Sequence, residues 1–127
     1  MNTFKPTDER RRYPRFQVHI PMRGEVQSGQ DISLIIGDIS LGGAACRSSH
    51  YVPEMTRMSM HIELPSPGAA AKVLRAEGVV VRVEPSEPSP EVGEYRLALF
   101  FTHLSDEDRA LLQRYLQDHL PARDGGR

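Results

Sequence analysis

The chain has 127 residues and carries 16 Lys and Arg against 17 Asp and Glu, a net charge of −1. That length allows one ordinary domain with one core, and near-neutrality lacks the broad basic footprint of a DNA- or RNA-binding surface. The single cysteine, Cys46, excludes an intrachain disulfide and a thiolate metal cluster within one chain. No stretch approaches the ~20 apolar residues that span a bilayer. The N-terminus lacks the apolar run of a signal peptide. A cytoplasmic protein without membrane insertion is therefore expected.

Residues 1–8 show no periodicity and read as a flexible N-terminus. Glu9-Arg10-Arg11-Arg12-Tyr13-Pro14-Arg15-Phe16 follows, with four arginines close together. Lys5 and these arginines oppose only Asp8 and Glu9, a local +3 that suits a small anionic ligand. Pro14 lacks an amide donor and pushes Tyr13 towards extended backbone, so the cluster reads as an arm and not as a helix. From Phe16 the pattern has period two: Phe16, Val18, Ile20 and Met22 alternate with polar residues and Pro21. That is a half-buried strand. Pro21 places it near an edge or at a local break.

Ser28-Gly29 is a turn signal, and residues 31–40 read as a second strand. Asp38-Ile39-Ser40-Leu41-Gly42-Gly43 is a tight connection, with Asp and Ser able to bond nearby backbone and two glycines free to take positive φ. A short strand of small residues resumes at Gly43. Met58, Met60, Ile62 and Leu64 mark the next strand, stopped by Pro65-Ser66-Pro67-Gly68. Residues 72–84 form a long strand whose phase changes, and Gly78 is the expected bulge. Residues 85–93 are a proline-rich loop; Tyr95, Leu97, Leu99 and Phe101 mark the last strand. Ser105 then N-caps a helix with acids in its first turn and Leu112, Leu116 and Leu120 on one face. Pro121 stops it, and residues 121–127 read as a flexible tail. Six or so strands and one helix predict a mainly β fold, a small barrel with a C-terminal α-helix packed on it.

Catalytic chemistry finds little support. The five histidines are scattered without metal-ligand spacing. Cys46 has no histidine partner in the pattern. No nucleophile elbow, Walker loop or dinucleotide fingerprint is present. Two features remain: Arg11 and Arg15 spaced as RxxxR, and Asp38, Ser40 and Gly43 spaced as DxSxxG. In this order, with a strand between them, they resemble the PilZ domain family. The resemblance spans roughly residues 9–120 and includes the strand Tyr95-Arg96-Leu97-Ala98-Leu99-Phe100-Phe101 and the helix. Ala98 departs from the family, where glycine is frequent; the departure is expected to concern packing.

The resemblance implies a six-stranded antiparallel β-barrel that binds cyclic di-GMP and needs no cofactor. It implies that Arg11 and Arg15 pair with phosphate or with guanine O6 and N7, or stack on the purine. Asp38 would accept from the guanine N1–H and N2–H₂ edge, Ser40 would bond phosphate or base, and Gly43 would let backbone come close. An arginine at the place of Arg10 implies two intercalated nucleotides. The function implied is a receptor, not an enzyme. Its arginine arm changes conformation on binding and signals to an unknown downstream protein. The alternative is a ligand-independent interaction adaptor.

Overall fold

A computed structural model describes residues 14–66 and 68–119. Arg10, Arg11 and Arg12, and the readings for residues 1–8 and 121–127, lie outside the described residues. Six strands and one helix follow in chain order: β1 Phe16–Val26, β2 Asp31–Ile39, β3 Gly43–Ser48, β4 Arg57–Leu64, β5 Lys72–Glu84, β6 Tyr95–His103 and α1 Asp106–His119. Every strand pairing is antiparallel. The strands close into a barrel in the order β1-β2-β3-β6-β5-β4.

Period-two alternation decides which side chains enter the barrel. Ile20 and Met22 of β1, Ile32, Leu34 and Ile36 of β2, and Met58, Met60, Ile62 and Leu64 of β4 are all buried. Burying each such side chain contributes roughly 1.5–3 kcal/mol, so the alternation fixes the register of each strand. Leu112 and Leu116 of α1 join the same core. The helix starts as its sequence requires. Ser105 Oγ accepts from the Asp108 amide at 3.0 Å and donates to the Asp108 carboxylate at 2.8 Å, which satisfies an amide the first turn leaves open.

Two irregularities matter for the site. In β1 the pairing with β2 shifts between Gln17 and Ile20, and the ladder with β4 covers only residues 22–26. Pro21 pairs in register with Ile35 of β2 and stands just outside the β4 ladder, at a local edge. In β5 the phase change lies beyond Gly78. Leu74, Ala76, Gly78, Val80 and Val83 are buried, whereas Val79 and Val81 are half-buried. The extra residue on β5 is Val81, where the register against β6 steps from Val80–Leu99 to Arg82–Ala98. The register also steps at Gly78, from Glu77–His103 to Gly78–Phe101, with Thr102 of β6 as the extra residue, and Gly78 is a packing position as well. A Cβ there would lie 2.6 Å from Met60 Cε and 2.8 Å from the Phe100 carbonyl oxygen.

Candidate functional site

The DxSxxG segment is the β2–β3 connection. Ser40 is 2% exposed. Its hydroxyl accepts from the Gly42 amide at 3.1 Å and the Gly43 amide at 3.3 Å. Its own amide donates to the Gly43 carbonyl at 2.9 Å. One side chain thus closes the turn and supplies two amides that would otherwise lack a partner. The Gly42 carbonyl accepts from the Phe101 amide at 2.9 Å, which ties the turn to β6.

Gly42 and Gly43 do not use the positive φ open to glycine; Gly29 and Gly68 do. Gly43 is required by space, because a Cβ there would drive into the Leu99 carbonyl oxygen of β6. The two glycines expected to bend the chain are therefore explained differently: at Gly43 the demand is close packing of β3 on β6.

Asp38 sits where the β2–β3 register shifts, between Ile36 and Asp38. Ile36 and Ile39 are both buried, and Asp38 between them is half-buried. The irregularity at Gly37 turns Asp38 towards the outer wall, the re-aiming that bulges perform. There its carboxylate meets Arg15 side-on. Arg15 Nη2 donates to Asp38 Oδ2 at 2.6 Å and Nε donates to Oδ1 at 3.3 Å. The side chains are 40% and 24% exposed, so the pair lies at the surface and its outer edge meets solvent. Arg15, Asp38, Ser40 and Gly43 are thus gathered at one end of the barrel, and Arg10 and Arg11 lie outside the described residues.

Register adds residues that spacing alone did not reveal. Gln17, Asp38, Ala45, Ala98 and Arg82 occupy successive positions across β1, β2, β3, β6 and β5. Leu97 and Leu99 belong to the packed core cluster, and Ala98 between them lies outside that cluster although it is buried, at 7% exposure. Ala98 therefore belongs to the row of Asp38, where two alanines stand between Asp38 and Arg82. The signal was the parity of β6, readable only once β6 is paired to β3. Cys46, on the opposite face of β3, points inward. Burial pushes its thiol far above the ordinary range and the Asp38 carboxylate adds to this, so it stays protonated and inert. Among the described residues no group of His, Cys, Asp and Glu could hold a metal ion. No described helix is long and apolar enough to cross a membrane.

The family model of the PilZ domain matches residues 9–118. The chain belongs to the PilZ domain family. Solved PilZ structures share its fold. The PilZ domain with c-di-GMP of YcgR from Escherichia coli superposes with TM-score 0.68 at 18% identity, over 92% of this chain and 97% of that one. Bacillus subtilis MotI/DgrA, an inhibitor of motility, gives 0.69 at 23% identity over 90% of this chain. The MrkH–c-di-GMP complex of K. pneumonia gives 0.67 at 20% over 93%. The chain spans only 53% of MotI/DgrA and 55% of MrkH. No curated protein sequence matches it.

Proposed function

We propose that this PilZ domain is a cyclic di-GMP receptor that passes its ligand state to a partner protein. The observation that carries this reading is the exposed Arg15–Asp38 pair beside the Ser40 turn, on a PilZ barrel. The ligand offers two phosphates and two guanines. A guanidinium is a planar, permanently charged fork that meets either group with two parallel hydrogen bonds. Arg11 and Arg15 take that role, Asp38, Ser40 and Gly43 complete the site, and Arg10 supplies charge for a second nucleotide. Two nucleotides bring about four negative charges together and need more nearby cations than one does. Binding changes the conformation of the arginine arm and presents a new surface to the partner.

Isothermal titration with cyclic di-GMP tests the reading, with binding of two nucleotides per domain as the expected result. No heat at micromolar protein and nucleotide would favour a ligand-independent adaptor. Arg15→Ala is expected to weaken binding about ten- to a hundredfold, the loss of one charge-assisted pair. Arg15→Lys should lose much of the same affinity, because it keeps the charge without the fork. Arg10→Leu should move the ratio from two towards one.

A further inference from the structure

We infer that the outer wall formed by β1, β4 and β5 docks a second copy of this chain about a two-fold axis that passes between Ser59 and His61. None of the residues involved belongs to the row of Asp38, and the inference does not depend on the receptor reading. Register places the exposed side chains of this wall in two stripes across the strands. Arg23, His61 and Arg75 are direct neighbours in one stripe; Glu25, Ser59 and Glu77 are direct neighbours in the next. Asp31 of β2 extends the acidic stripe beside Glu25. All seven are exposed. Cross-strand neighbours of like charge repel, and sheets favour opposite charges in those places. Here the stripes are segregated by sign instead, and none of Arg23, Arg75, Glu25 and Glu77 is ion-paired with another described residue. The repulsion along each stripe is relieved by a surface that brings the opposite sign face to face with it.

A second copy is such a surface. A two-fold axis in the contact plane, parallel to the stripes and midway between them, lays the acidic stripe of one copy on the basic stripe of the other. Glu25 then meets Arg23 of the second copy, Glu77 meets Arg75, and Ser59 meets His61, each in both directions. The next outward positions along the strands obey the same rule. On β4, Arg57 lies beyond Ser59 and Glu63 beyond His61, so Arg57 meets Glu63 of the second copy. On β5, Val79 lies beyond Glu77 and Val73 beyond Arg75, so two valines meet. Val73 is 50% exposed, one of two large apolar side chains left in solvent among the described residues, and docking gives it an apolar neighbour. Between Glu25 and Glu77 the wall opens into a recess of about 370 Å³ that also borders Ser59 and Gly78 and leaves room for the incoming arginines. A contact over three strands of a convex barrel stands at the small end of interfaces, so the dimer is weak and reversible.

Sedimentation velocity of the full chain, without ligand, tests this at about 50 mM and about 500 mM salt, where screening differs several-fold in range. A dimer that grows with protein concentration at low salt and dissolves at high salt is expected. A parent that stays monomeric at low salt and about millimolar protein overturns the inference. Charge reversal on β1 tests the two-fold placement. Arg23→Glu sets two carboxylates against each other, and Glu25→Arg sets two guanidinium groups against each other, so each variant alone should be monomeric. An equimolar mixture of the two variants should dimerise again, because each reversed charge then meets its opposite. Dimers in both single variants, or a mixture that stays monomeric, show that copies do not meet in this way. Val73→Ser changes no charge and keeps the test open should a reversal unfold the barrel. It should weaken the dimer about fivefold, and an unchanged dimer removes the valine contact and with it the two-fold placement. A parent that is monomeric but binds a poly-glutamate peptide would assign the basic stripe to an acidic partner and likewise sink the second copy.

Discussion

Two turns of the same barrel solve the same problem by different means. The β1–β2 turn is closed by main chain alone, with the Gly29 amide on the Val26 carbonyl at 2.8 Å and the Val26 amide on the Gln30 carbonyl at 3.1 Å. Gly29 takes φ 93° and has nothing within 4 Å of where a Cβ would stand. The β2–β3 turn is closed by a buried side chain, Ser40, and its glycine is pressed against β6. The first turn only reverses the chain. The second also fixes where Asp38 and the β3–β6 seam lie, and its parts are interlocked accordingly. A glycine in sequence thus carries two different demands, a dihedral in one turn and a volume in the other.

Substitution separates these demands. Gly43→Ala should be the most damaging, because the obstacle is backbone and the strands must part; overpacking of this kind costs about 1–3 kcal/mol or more. Urea unfolding reads it, and a loss no greater than that of Gly29→Ala would break the comparison. Ser40→Ala comes next. It leaves the amides of Gly42 and Gly43 without their acceptor, at about 1–3 kcal/mol for a buried unsatisfied group. Gly29→Ala should cost about 1–2 kcal/mol for the left-handed conformation alone, and Gly29→Asn less, since Asn tolerates that region. Arg15→Ala should have the smallest effect on unfolding. Exposed ion pairs contribute about 0–1 kcal/mol, so its loss should be seen in ligand affinity and not in the melt.

Much of the fold was legible because a half-buried strand writes its burial into alternate residues. β1, β4 and β6 were marked this way, and Ser105 with its acids marked the start of α1. The turn Asp38-Ser40-Gly43 was also legible as a motif. Its mechanism was not, because the reason for Gly43 is the carbonyl of Leu99, 56 positions away in the chain. The irregularities of β5 were legible only in part for a related cause. Gly78 marks a register step whose extra residue, Thr102, lies on β6, while Val81, with no local mark, is the extra residue on β5 itself. Ala98 shows the same limit: its place in the row of Asp38 depends on which strand lies beside β6.

The uneven pairing of β1 bears on how the site moves in time. Residues 22–25 have a ladder on both sides, but Phe16, Gln17, Ile20 and Pro21 pair with β2 alone, and Val18 and His19 fall within the register shift. The first half of the strand is kept in place by the burial of Phe16 and Ile20, at 5% and 1% exposure, without a second row of hydrogen bonds. Segments tied down on one side open at lower free energy than the whole fold unfolds. Amide exchange with deuterated solvent should accordingly split β1 at Pro21, fast before it and slow after it. Arg15, one residue upstream, then belongs to the part of the barrel that can lift and reseat while the rest stays folded.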